Sequence, residues 1–158
     1  MATSGTDLSF FDASSLPSGE HMRVGIAVAE WNSEITENLY RGAVDTLSAL
    51  GVVSNNIHTY RVPGAFELPH ACKKLIDRHQ LSAVIAIGSV IQGETKHFDF
   101  ICQSTAQGIM NLNTDQNVPV IFCVLTDNNL QQAIDRSGGK HGNKGVEAAV
   151  AAVKMAAL

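Results

Sequence analysis

Ala83-Val84-Ile85-Ala86-Ile87-Gly88-Ser89-Val90-Ile91-Gln92-Gly93-Glu94-Thr95-Lys96-His97-Phe98-Asp99 runs from an unbroken apolar segment through a polar, glycine-punctuated turn into a helical pattern. An apolar run without alternation, of strand length and rich in branched residues, reads as a strand buried on both faces. The turn after it sets backbone N–H groups, the Thr95 hydroxyl, Lys96 and His97 at the start of a helix. Unpaired amides and the helix dipole favour an anion at such a place. A phosphate held beside a proton-transfer group is one reading; an ordinary strand-to-helix connection with a polar cap is the other. This segment alone leaves both open.

The same order repeats along the chain. Strand patterns cover residues 23–29, 57–62, 82–88 and 118–125, and helical patterns cover 33–50, 67–79, 97–112, 130–136 and 144–157. In the first helix Ile35, Leu39, Ala43, Leu47 and Leu50 fall on one face before Gly51 stops it. Strands alternating with helices imply right-handed crossovers and a parallel sheet covered on both sides. The expected fold is a three-layer α/β/α sandwich with a four-stranded parallel sheet in flavodoxin-like strand order. Residues 23–158 are expected to form a single domain. Residues 1–22 lie outside the alternation, yet carry Leu8, Phe10, Phe11 and Leu16. Docking on a neighbouring subunit and a partly disordered leader around Pro17-Ser18-Gly19 both fit them.

Composition removes several functions. The 158 residues are 45% hydrophobic and 16% charged with a net charge of −4, so the basic stripe of a nucleic-acid binder is missing. The start of the chain has no positive charge and no long apolar run, which predicts no membrane partner and a cytoplasmic location. Cys72, Cys102 and Cys123 are far apart and read as reduced core thiols. Neither they nor the six histidines have metal-ligand spacing, so no metal site is expected.

In a parallel α/β sheet the carboxyl ends of the strands share one edge, where ligands bind. The loops expected there contain Glu30-Trp31-Asn32, Pro63-Gly64-Ala65-Phe66-Glu67, residues 89–97 and Thr126-Asp127-Asn128. Together they suit a flat polar heterocycle plus a phosphate. Trp31 fits a stacking surface or a plug at the sheet's end, beside a helix cap at Asn32 or Ser33. Glu67 at a helix start is a dipole partner or a ligand, and Phe66 is core or ligand. Further on, Arg136, Lys140, His141 and Lys144 gather among four glycines as the only local basic cluster. No P-loop and no Gly-x-Gly-x-x-Gly occurs, so a small phosphorylated substrate fits better than a nucleoside triphosphate.

These loops, in order, resemble those of the lumazine synthase family of riboflavin biosynthesis. The motifs are Trp31-Asn32, then Val62-Pro63-Gly64-Ala65-Phe66-Glu67, then Val90-Ile91-Gln92-Gly93-Glu94-Thr95-Lys96-His97-Phe98. Val124-Leu125-Thr126 with Gln132-Ala133 and Arg136 follows, and Asn143-Lys144-Gly145-Val146-Glu147-Ala148-Ala149 comes last. The resemblance implies condensation of 5-amino-6-(D-ribitylamino)uracil with 3,4-dihydroxy-2-butanone 4-phosphate to 6,7-dimethyl-8-ribityllumazine, without a cofactor. It implies stacking by Trp31, with Ala65, Phe66, Glu67, Ser89, Val90 and Ile91 holding the pyrimidine and ribityl chain. It assigns phosphate to Glu94 and Thr95 and proton transfer to His97. Phe122 and Arg136 would reach in from an adjacent subunit, and Lys140 is a further phosphate candidate.

The resemblance also implies a pentamer with shared sites, a shell of twelve pentamers, and riboflavin synthase as a partner. Departures from the family pattern are Trp31 for a common Phe, Gln92 for a common Arg and Cys123 for a common Gly. Two other readings are weighed beside it: a riboflavin synthase of the related fold, and a non-catalytic flavin- or lumazine-binding or shell protein.

Overall fold

In the computed structural model, which describes residue 7 and residues 9–158, strands β1 (Val24–Ala29), β2 (Ile57–Val62), β3 (Ala83–Ile91) and β4 (Val120–Asp127) form one sheet. All its pairings are parallel and the order is β2-β1-β3-β4, the flavodoxin-like order expected from the alternation. Helices α1 (Ser33–Ala49), α4 (Leu130–Arg136) and α5 (Lys144–Ala156) lie on one face, and α2 (Leu68–Arg78) and α3 (His97–Asp115) lie on the other. The three-layer sandwich therefore has two cores separated by the sheet.

Side-chain size differs between the two faces. Toward α1 and α5 the central strands present Val24, Ile26, Val28, Ile85 and Ile87. Toward α2 they present Gly25, Ala27, Ala29 and Ala86, and a Cβ on Gly25 would come within 2.8 Å of Leu81. Small residues let α2 approach closely. On the opposite face the closeness is between helices: α5 meets α1 through Gly145, Ala148, Ala149 and Ala152, and a Cβ on Gly145 would overlap the Leu39 carbonyl oxygen. Asn143 locks this contact, its amide donating to the Asn38 carbonyl at 2.9 Å while its Oδ1 accepts from Gly145 N–H at 2.8 Å.

Three boundaries differ from the sequence reading. Strand β3 continues to Ile91 instead of turning at Gly88, because β4 remains paired with it as far as Ile91 opposite Asp127. Gly88 is a close-packing residue, since a Cβ there would lie 3.0 Å from Leu68 and 3.3 Å from Val124. Strand β4 is shifted correspondingly, to Val120–Asp127, and α3 runs on to Asp115. The glycine-rich connection after α4 forms a small antiparallel ribbon of β5 (Ser137–Gly139) and β6 (Gly142–Asn143). Gly138 and Gly142 hold positive φ of 122° and 81°, which glycine alone adopts without a Cβ penalty.

The leader is tied to its own chain where it is described. Phe11, Leu16 and Met22 pack on the α1–α5 core, and Gly19 N–H donates to the Leu50 carbonyl at 2.8 Å. Phe10 is 84% exposed, and Leu8, part of the apolar pattern, lies outside the described residues. Among the described residues no helix is long and apolar enough to cross a membrane.

Gly145→Ala should therefore force α5 away from α1. Overpacking of this kind costs about 3 kcal/mol, which corresponds to a loss of roughly 6–12 °C in Tm for a domain of this size. Thermal unfolding followed by circular dichroism measures it; an unchanged melt would mean the helices are not held at this separation.

Candidate active site

A cavity of about 830 Å³ opens at the carboxyl edge of the sheet. It is of a size that takes a small organic ligand. Trp31 and Asn32 enter from the end of β1, and Pro63 to Glu67 from the loop after β2. Ser89, Val90 and Ile91 line it as strand, Gly93 and Thr95 from the following turn, and His97, Phe98, Phe100, Ile101 and Ser104 from α3. Nine of the residues singled out from sequence thus meet in one place: Trp31, Ala65, Phe66, Glu67, Ser89, Val90, Ile91, Thr95 and His97.

Local chemistry explains how each is held. Trp31 N–H donates to the Pro63 carbonyl at 3.1 Å, leaving the indole 74% exposed over the opening. Asn32 occupies the cap position of α1 but does not cap it. It is the only described non-glycine residue with positive φ, at 57°, and its amide donates to the Ser89 carbonyl at 2.9 Å. Asparagine tolerates this left-handed backbone better than most residues, and such conformations gather at functional sites.

The second wall is equally determined. Glu67 sits in a 3-10 turn (Ala65–Glu67) just before α2, where its Oε2 accepts from Gly64 N–H at 3.0 Å. The Thr105 hydroxyl donates to the Ala65 carbonyl at 3.1 Å, pinning this turn to α3. Ser89 Oγ is buried and has no partner among the described residues, which leaves a hydroxyl for a bound polar group.

The turn of residues 92–96 starts from a fixed point, Gln92 N–H donating to the Asp127 carbonyl at 2.9 Å. A Cβ on Gly93 would meet nothing within 4 Å, so its backbone is open to a ligand. The α3 N-terminus has no side-chain cap from Lys96, although Thr95 Oγ1 accepts from His97 N–H at 3.4 Å. An anion near Thr95 would lie at the positive end of the α3 dipole with His97 in its first turn.

The remaining residues named from sequence stand elsewhere. Glu94 is exposed in the turn, and its side chain is not in the cavity wall. Phe122 lies on β4 and is 38% exposed; neither it nor Arg136 nor Lys140 lines the cavity within one chain. The basic cluster also turns out to be largely neutralised. Arg136 is 3.7 Å from Asp127, Lys140 is 3.7 Å from Asp135, and Lys144 is 2.5 Å from Glu147.

Phe100, Ile101 and Ser104 were not singled out from sequence as site residues. Their signal was the spacing from His97, which puts residues three, four and seven positions on along one helical face. The thiols need one correction: Cys72 and Cys123 are buried, with pKa values pushed up to about 12 chiefly by burial, but Cys102 is only half-buried.

The fold and the site define a parallel α/β protein whose cavity lies at the carboxyl edge of its sheet, walled by an exposed indole, a carboxylate and the turn into α3. Residues 21–158 match the family model described as 6,7-dimethyl-8-ribityllumazine synthase, and the chain belongs to that family. It is 56% identical to the 6,7-dimethyl-8-ribityllumazine synthase of Porphyromonas gingivalis over 158 residues, spanning 100% of this chain and 98% of the relative. Identity to the protein of the same name in Christiangramia forsetii is 55% over 159 residues, spanning 100% and 95%. To that of Flavobacterium johnsoniae it is 55% over 156 residues, spanning 99% and 82%. The family is one of transferases in riboflavin biosynthesis, with small-molecule substrates and a homo-oligomeric state. Nothing in the fold or the relatives favours a riboflavin synthase or a non-catalytic shell protein.

Because the thiolate is the reactive form and burial opposes it, a water-soluble disulfide reagent should titrate no more than one thiol per native chain. That thiol is Cys102, and all three should react after unfolding. Rapid labelling of two or more in the folded protein would contradict the burial of Cys72 and Cys123.

Proposed function

We propose that this protein condenses 5-amino-6-(D-ribitylamino)uracil with 3,4-dihydroxy-2-butanone 4-phosphate to 6,7-dimethyl-8-ribityllumazine, releasing phosphate and water. The observation that carries the reading is the meeting, in one cavity, of an exposed indole, a fixed carboxylate, an unpartnered serine hydroxyl and the turn leading to His97. The indole of Trp31 stacks on the pyrimidine, while Phe66, Ala65, Val90 and Ile91 border it. Glu67 and Ser89 take ribityl hydroxyls, Glu67 using oxygen capacity that the Gly64 contact leaves over. Thr95 and the main chain at Gly93 and Glu94 take the phosphate.

The chemistry asks little of any single side chain. The 5-amino group attacks the ketone and loses a first water to give an imine, a proton is removed and phosphate departs, and the ribitylamino nitrogen then closes the ring on the remaining carbonyl with loss of a second water. Holding two substrates together replaces a bimolecular encounter, worth roughly 7–11 kcal/mol in ideal geometry. His97 moves protons beside the phosphate, a contribution of about 10²-fold or somewhat more for a positioned imidazole.

The same reading makes the site a shared one. Phe122 and Arg136 lie outside their own chain's cavity, and in a pentamer they complete the neighbour's, with Lys140 as an outlying phosphate contact. The short connection of residues 138–142 and the exposed Phe10 favour a shell of twelve pentamers in the cytoplasm, with the exposed Phe10 of the leader reaching a neighbouring subunit and riboflavin synthase as the enclosed partner.

Purified protein supplied with both substrates should produce lumazine absorbance and one inorganic phosphate per turnover; no product would end the proposal. His97→Ala should lower kcat by roughly one to two orders of magnitude with pyrimidine binding nearly intact, whereas Arg136→Ala should chiefly raise KM for the phosphorylated ketone. Steady-state kinetics with both substrates varied separate the two. Hybrids of Arg136→Ala with His97→Ala chains should regain activity, because some sites then receive both residues. Light scattering on the same samples gives the assembled mass; mixing without recovery, or a mass of free pentamers, would refute the shared site or the shell respectively.

A further inference from the structure

Asp127, the last residue of β4, has only 6% of its side chain exposed. Its Oδ1 lies 3.7 Å from Arg136 Nη1, and the same nitrogen donates to the Gln132 carbonyl at 2.9 Å. Its Oδ2 is buried with no hydrogen-bond partner among the described residues. A buried carboxylate in so sparse a setting costs free energy, and it raises the question of what the charge does. Burial pushes the carboxyl's pKa up, and the nearby guanidinium pulls it back.

The main chain of the same residue has a second connection. The Asp127 carbonyl accepts from Gln92 N–H at 2.9 Å, at the root of the turn proposed to hold phosphate. The segment between Asp127 and Arg136 is itself fixed. Asn129 Oδ1 accepts from Gln132 N–H at 3.0 Å, and Gln132 Oε1 accepts from Asn128 N–H at 2.9 Å. Arg136, the last residue of the short helix that this segment anchors, therefore turns the Nη1 edge of its guanidinium toward Asp127. Its side chain is 27% exposed, and its other donors have no partner among the described residues.

We propose that Asp127 is a positioning residue for the condensation: its buried charge orients the Arg136 guanidinium so that the free donors face the phosphate of the ketone substrate. The proposal rests on the assignment of Arg136 to phosphate. A planar guanidinium with five donors can meet a carboxylate on one side and a phosphate on the other, which an ammonium cannot do with fixed geometry. At 3.7 Å the contact to Asp127 is electrostatic rather than a hydrogen bond. The effect is thus one of charge, and holding the side chain in advance reduces the rotamer entropy lost when phosphate arrives. In a shared site Asp127 serves two cavities, steadying the turn of its own subunit through its carbonyl and the arginine offered to the neighbour through its carboxylate.

The test compares Asp127→Asn, Arg136→Ala and the double variant in the assembled protein, with both substrates varied and inorganic phosphate as a competitive probe. Asp127→Asn should raise KM for the phosphorylated ketone about tenfold, within what one half-buried charge pair at this separation supplies, and weaken phosphate inhibition similarly. KM for the pyrimidine should stay as in the parent. The double variant should be no worse than Arg136→Ala, because Asp127 acts only through that arginine. If Arg136→Ala leaves the ketone KM unchanged, the phosphate assignment of Arg136 is wrong, and the positioning role falls with it. If Arg136→Ala raises it while Asp127→Asn matches the parent, only the positioning role is wrong; equal rises in both KM values, or full additivity in the double variant, overturn that role as well. Asp127→Ser carries the same expectations and replaces the asparagine variant should that protein fail to assemble.

Discussion

Pairing between β3 and β4 outlasts the pairing between β3 and β1, and the site depends on that difference. The β1 partners of β3 end with Val28 opposite Ile87, whereas β4 stays in register through Gly88, Ser89 and Val90 to Ile91 opposite Asp127. Beyond Ile87 the strand thus has a neighbour on one side only. The open side is the space above the end of β1, bounded by Trp31 and Asn32 and by the loop after β2. A parallel sheet whose connections run one way from β1 and the other way to β3 leaves a crevice between those strands. The longer β3–β4 ladder gives that crevice a rigid wall and a fixed origin for the turn leading to His97.

The site so formed is mostly scaffold. Main-chain groups of Ser89 and Asp127 are tied to Asn32 and Gln92, and Glu67 and Thr105 brace the turn of residues 64–67. Such bracing suits a reaction whose barrier falls mainly by approximation, since small errors in relative placement are costly. It also fits the proposal that His97 alone moves protons in the site.

Much of this was legible in the sequence, because burial and turn chemistry leave periodic marks. The apolar run of residues 83–87 announced a two-sided strand, the alternation set the layers, and the strand-end rule brought Trp31, Glu67 and His97 to one edge. Gly88 was misread because glycine marks both turns and close packing, and only the positions of Leu68 and Val124 distinguish them. Asn32 likewise looked like a helix cap, since a sequence does not show that the Ser89 carbonyl lies within its reach. The basic cluster kept its carboxylate partners hidden for the same reason: Asp127 belongs to another element, and the pairs with Asp135 and Glu147 depend on side-chain direction.

The bond from Asn143 to the Asn38 carbonyl joins residues 105 positions apart, and it belongs to the contact that brings α5 onto α1. Loops of that length close slowly, because ordering precedes the contacts that reward it. Until α5 arrives, the face of the sheet bearing Ile26, Val28, Ile85 and Ile87 lacks half of its cover. A chain in which α5 had not yet docked would leave this aliphatic surface open to water and to other chains. Exposure of that surface before docking is a hazard separate from the stability of the finished core, since transiently open apolar faces favour aggregation.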